Sequence, residues 1–334
     1  MAGSDRGRDG SRRPRVVSRR ELLTAVGGAA AASTVVPTTT TATASESPVT
    51  VRIYPGPVPL HGWVHAGFEG MRSDWPAPYR DAMAAVEASL DRVLEYANAT
   101  SRLEGLEIRL ERGAPVRFPL SDAPLSSEAV VPSLSTVLAN FREQVRERSA
   151  LAERTAHVLF CWSPLNFRVG YGGTLTPNAE LGSSAGDGDH EDGTGDDTAD
   201  EYVDGALTVA NLGATEIWDS RAVTRNMAIH ETLHTFLSPE VADEVGGSVC
   251  DHNLGAAVRT GEDDRTMEVT PMATAYAGPD ELGGGTRFHG RGCHNHDEFH
   301  HHDGLENVDE WTYTTELSQA TLEAVTRYLE RTSF

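Results

Sequence analysis

His230-Glu231-Thr232-Leu233-His234 places two imidazoles four residues apart, with a carboxylate beside the first. A helix turns about 100° per residue, so positions i and i+4 stand one above the other on the same face. Two neutral imidazoles so placed can ligate a single tetrahedral metal ion, for which zinc is the usual occupant, and Glu231 is positioned to take a proton from a water on that ion. Working outward, helical spacing extends from about Arg221 to Leu237, with Asp219 or Ser220 able to cap its start. Ile229, Leu233 and Phe236 form one apolar stripe suited to packing on a sheet, while Met227, His230 and His234 form another. The histidines are off the most apolar face, which argues against reading them as satisfied core residues.

A hydrolytic zinc site needs a third protein ligand and an open position. The nearest later histidine is His252, in Cys250-Asp251-His252-Asn253-Leu254-Gly255. Ser238-Pro239 breaks the helix and Gly246-Gly247 permits a sharp return, so an enlarged loop can bring His252 back to the metal. Glu240 and Glu244 are rival carboxylate ligands, and Asp251 is a candidate partner for a ligating imidazole.

The motif resembles that of the metzincin zinc peptidases, whose pattern is His-Glu-x-x-His-x-x-Gly-x-x-His. Leu237 stands at the glycine position and Glu240 at that of the third ligand, so this chain departs from the pattern after His234. A carboxylate third ligand would instead resemble the gluzincins. Val269-Thr270-Pro271-Met272-Ala273-Thr274 resembles the methionine-containing turn beneath the zinc of metzincins, and Tyr276, shortly after it, is a candidate oxyanion donor. The resemblance implies an α+β fold: a mixed sheet with an active-site helix, and a smaller C-terminal subdomain. It also implies His230, His234 and His252 as zinc ligands and Glu231 as general base.

The rest of the chain supplies elements for such a fold. Val49 to Tyr54 reads as a strand, Ala77 to Ala97 as an amphipathic helix, and Leu106 to Leu110 as a second strand. Pro132 fits the first turn of a helix running to about Arg148, followed by strands at Val158 to Trp162 and Ala206 to Asn211. Leu317 to Leu329 has helical spacing again. The expected organisation is a signal peptide over residues 1–44, an N-terminal catalytic subdomain over 45–237, and a C-terminal subdomain over 238–334.

The signal reading rests on Ser18-Arg19-Arg20-Glu21-Leu22-Leu23, which resembles a twin-arginine export motif, followed by a weakly apolar stretch and Ala42-Thr43-Ala44. That stretch is short and rich in Gly, Ala and Thr, so no stable membrane span is expected after cleavage. All 28 basic residues are arginine. Beyond residue 44, 21 arginines face 47 acidic residues, a formal charge of −26. This excess excludes nucleic acid as a natural partner and resembles salt-adapted proteins, since molar salt shortens the Debye length to about 3 Å and screens self-repulsion.

Of three cysteines, Cys161 lies in the apolar run from His157 to Trp162, leaving Cys250 and Cys293 to pair outside the cell. The acidic Ser183 to Asp204 stretch reads as a solvated surface loop; its spacing fails as a calcium loop because Asp192 and Thr198 stand where Gly and Glu belong. The cluster His289, His294, His296, His300, His301 and His302 matches no zinc spacing and reads as a surface loop with loose metal affinity. The function expected is a secreted zinc metalloendopeptidase acting on peptide or protein substrates. Two alternatives stand beside it: a non-catalytic metal-binding or interaction protein on a peptidase-like scaffold, and a zinc hydrolase of non-peptide amides.

Overall fold

The computed structural model describes residues 48–332 apart from 69, 74, 101–102, 104, 119–131, 149–153, 167–168, 176–205, 261–264, 274–299 and 305. The proposed signal peptide, the acidic stretch, Tyr276, Cys293 and the histidines from 289 to 296 lie outside the described residues. Contacts gather Glu46–Phe334 into one compact unit.

Strand β1 (Val49–Pro55) leads through the short helix α1 (Leu60–His65) to the long helix α2 (Ala77–Thr100) and strand β2 (Ile108–Arg112). Helix α3 (Leu134–Glu147), strands β3 (Thr155–Cys161), β4 (Gly172–Leu175) and β5 (Leu207–Asn211), and helix α4 (Leu212–Trp218) follow. The five strands form one sheet in the order β2-β1-β3-β5-β4, in which β1, β2, β3 and β5 run parallel and β4 is an antiparallel edge. Parallel neighbours need crossovers, and helices supply them on both faces.

The motif helix α5 (Arg221–Leu233) packs with α2 on one face of the sheet, where Val51, Ile53, Val158 and Phe160 meet Val86, Val93, Ile229 and Leu233. Alternate residues of the same strands, Tyr54, Leu159, Leu207 and Val209, meet Val137, Phe141 and Val145 of α3 on the other face. β3 and β5 are buried along their whole length, as expected of strands covered on both sides.

Beyond α5 the chain makes helix α6 (Pro239–Gly246) and a 3-10 turn, Asp251–Leu254. A second sheet then builds from strands β6 (Ala256–Thr260), β7 (Thr266–Val269), β8 (His301–His302) and β9 (Glu310–Tyr313), in the order β8-β6-β7-β9. Helix α7 (Gln319–Thr332) closes the chain, burying Ala324, Val325 and Leu329 in the main core. The architecture is mixed α/β with two mixed sheets, in accord with the α+β expectation at that level. Among the described residues no helix is long and apolar enough to cross a membrane.

Several local expectations need correction. The second strand runs Ile108–Arg112, two residues later than the alternation suggested. Pro132 precedes the first turn of α3; Ser133 is the cap, its Oγ accepting from the Thr136 amide. The motif helix ends as α at Leu233 and continues as 3-10 through His234–Phe236, because Ser238-Pro239 starts a new helix.

Candidate metal centre

Ser220, the second of the two expected caps, starts α5 by accepting from the Val223 amide. The apolar stripe then goes to the core, and His230 and His234 face away from the sheet-packing stripe as their spacing requires. Their Nε2 atoms lie 2.9 Å apart, with ring centroids separated by 4.5 Å. His234 caps the helix with right-handed helical backbone angles, and its amide still donates to the His230 carbonyl, so the i, i+4 alignment survives.

The segment between His234 and His252 is not an enlarged loop. Leu237, at the position of the glycine in the metzincin pattern, is extended, and Ser238 caps α6 with Pro239 in its first turn. Gly247 ends α6 in the left-handed conformation, φ +71°, where a side chain would be strained. The chain reverses there and enters the 3-10 turn that carries His252. The Leu254 carbonyl at the end of that turn accepts from Ser318 Oγ and from Thr321 Oγ1, tying it to the start of α7.

His252 stacks on His230 with ring centroids 5.0 Å apart and meets His234 edge-on at 4.8 Å. One ring nitrogen from each of the three histidines lies within 4.8 Å of the others. Tetrahedral zinc with Zn–N bonds of 2.0–2.1 Å needs nitrogens about 3.3 Å apart, so the set is within a small side-chain adjustment of ligation. Cys250, Asp251 and His252 are also close together, but Cys250 is disulfide-bonded and offers no thiolate. Cys161 is a buried free thiol, pushed up to about 12 by burial.

Both motif histidines are oriented from behind. His230 Nδ1 donates to the Pro271 carbonyl at 2.5 Å, which leaves Nε2 with its lone pair toward the other rings. His234 Nδ1 lies 2.6 Å from Asp251 Oδ2, and Asp251 Oδ1 is 3.6 Å from His252 Nδ1. Burial, then the other two histidines, hold His230 well below its ordinary range. Burial also opposes charge on His234, but Asp251 outweighs it and holds that imidazole up to about 9; in return Asp251 falls well below the usual carboxylate range.

Pro271 belongs to the turn Thr270–Ala273, in which the Ala273 amide donates to the Thr270 carbonyl. Thr270 pairs with the Ala256 backbone through both its amide and its hydroxyl. A Cβ on Gly255 would come 2.0 Å from the Ala273 nitrogen, so only glycine lets the His252 segment and this turn approach so closely. Met272 is fully buried in the main core.

Glu231 is 4 % exposed and points toward the sheet edge. Its Oε2 accepts from Thr208 Oγ1 of β5 at 3.3 Å, and its Oε1 lies over Gly172 of β4, where a Cβ would come within 2.6 Å of it. Burial pushes the Glu231 carboxyl up to about 7 against the opposing pull of His234 and Thr208.

Of the residues expected at the site, His230, Glu231, His234 and His252 come together, and Asp251 takes the supporting position. The rivals do not approach: Glu240 is exposed and bonded to Ser238 within its own helix turn, and Glu244 is held by Arg331 of α7. Tyr276 is outside the described residues. Sequence reasoning missed Thr208, Gly172 and the Pro271 carbonyl. The Gly172-Gly173 pair in a short apolar run was the one usable signal for the β4 contact. Three convergent imidazoles, a carboxylate behind two of them and a second carboxylate alongside are a donor set that fits zinc. No protein-family model, curated protein or solved structure matches this chain.

Proposed function

We propose that the chain is a secreted zinc-dependent metalloendopeptidase with a metzincin-like site. The observation that carries this reading is the convergence of His230, His234 and His252 with Glu231 buried beside them. The three imidazoles would hold zinc, with Asp251 and the Pro271 carbonyl fixing the orientation of His234 and His230. Zinc bound there supplies Lewis acidity to a water and to a substrate carbonyl.

Glu231 is the general base: it takes the proton of the attacking water and returns it to the leaving amine. Thr208 bonds one oxygen of its carboxylate, and the missing side chain of Gly172 leaves room for the other. β4 ends the sheet order, so its outer edge has no strand partner among the described residues. An extended peptide adding to that edge would run past Glu231, which favours a peptide over a small amide as substrate. The mixed sheet and the methionine turn beside His230 support the metzincin comparison. Export and salt adaptation rest on the twin-arginine stretch and on the formal charge of −22 carried with arginine alone.

Glu231→Gln tests the reading. In molar salt the variant should keep its metal and lose hydrolysis of a generic protein substrate by 10³-fold or more, on the order of 4 kcal/mol or more of barrier. Unimpaired hydrolysis in that variant would remove Glu231 from the mechanism.

A further inference from the structure

Asn226 sits one helical turn before His230 on α5 and is fully buried. Its Nδ2 donates twice, to the Val269 carbonyl at 3.1 Å and to the Thr314 carbonyl at 2.7 Å. Its Oδ1 has no hydrogen-bond partner among the described residues. A buried acceptor left unpaired is costly, so the carboxamide is favourable here only through its two donated bonds. Those bonds reach the ends of β7 and β9, which pair in parallel with Val269 opposite Tyr313.

Val269 is the last residue of β7, and the Pro271 carbonyl that orients His230 follows two residues later. The Val269 carbonyl also accepts from the Thr314 amide, so Asn226 closes a three-way junction of α5, β7 and β9. The Asn226 carboxamide thus ties the strand end to the helix one turn before His230 meets the turn itself.

We propose that Asn226 is a positioning residue for the metal centre: by pinning the ends of β7 and β9 to α5, it sets where the Pro271 carbonyl meets His230 Nδ1. Metal affinity therefore depends on a side chain that is not itself a ligand. The inference rests on the metal-site reading above and adds to it a determinant one helical turn before the motif.

The test is zinc affinity, measured by competition with a chromogenic chelator well below the melting temperature, for wild type, Asn226→Ala, Asn226→Gln and Val145→Ala. Val145 lies in the core on the far face of the sheet and controls for lost stability. Asn226→Ala should weaken zinc binding about 10- to 100-fold and shift the visible bands of the cobalt-substituted protein. Asn226→Gln, which restores two donors, should recover part of the loss, and Val145→Ala should change neither readout. If Asn226→Ala is too unstable to purify, Asn226→Gln against wild type carries the test, with a smaller loss of affinity and a band shift expected. Wild-type affinity and bands in the Asn226 variants would overturn the proposal while leaving the metal centre standing. A wild-type protein that takes up no zinc would overturn the metal centre itself and this proposal with it.

Discussion

The Asp251 carboxylate lies 2.6 Å from Nδ1 of His234, the residue that ends the zinc-type motif, although the two are seventeen positions apart in the chain. A carboxylate behind an imidazole fixes its tautomer and raises its basicity as a ligand. Asp251→Asn keeps the volume but removes the charge. It should weaken zinc binding about 10- to 100-fold with little change in the far-ultraviolet circular dichroism. Unchanged affinity in a chelator competition would show that Asp251 does not support the metal.

Gly172 makes the second prediction. A methyl group there would lie 2.0 Å from the Val209 carbonyl and 2.6 Å from Glu231 Oε1, so β4 or the carboxylate must move. Gly172→Ala should lower stability by about 1–3 kcal/mol. It should also reduce peptide hydrolysis more than it reduces zinc content, because the base is displaced and the ligands are not. Metal loss in step with activity would point to general disruption instead.

Asp219 supplies a pH dependence away from the metal. Burial raises its carboxyl from 3.8 to about 6, against a Tyr171 hydroxyl that donates to Oδ2 and pulls the other way; Tyr313 also faces it. The folded value lies above the unfolded one, so the folded state favours the protonated form. Its contribution to stability is complete below about pH 3.8 and is lost as pH rises through about 6. Thermal unfolding of wild type and Asp219→Asn should therefore converge near pH 4, with the variant the more stable at pH 7. A wild type that gains on the variant over that interval would contradict this environment for Asp219.

Much of the site was legible in the sequence because its parts are local. Residues 230, 231 and 234 lie within one and a half helical turns, and the i, i+4 rule fixes their relation whatever the tertiary structure. His252 was reachable by elimination, as the next histidine after a helix break. What stands behind the ligands was less legible, because backbone carbonyls and glycine space leave no residue-type signature: Pro271 acts through its carbonyl and Gly172 through a missing side chain. The long elements were visible for a similar reason, α2 and α3 each presenting several turns of apolar spacing. The second sheet was not, since its strands are two to five residues long and partly polar, too short for alternation to stand out.

The most direct measurement is the zinc content of the purified protein after dialysis against trace zinc in molar salt, for wild type and for His252→Ala. One tightly held zinc per chain in wild type, and its loss in His252→Ala with the fold intact, is the expected result. No stoichiometric zinc in wild type, or a full complement in His252→Ala, would contradict a centre built from His230, His234 and His252.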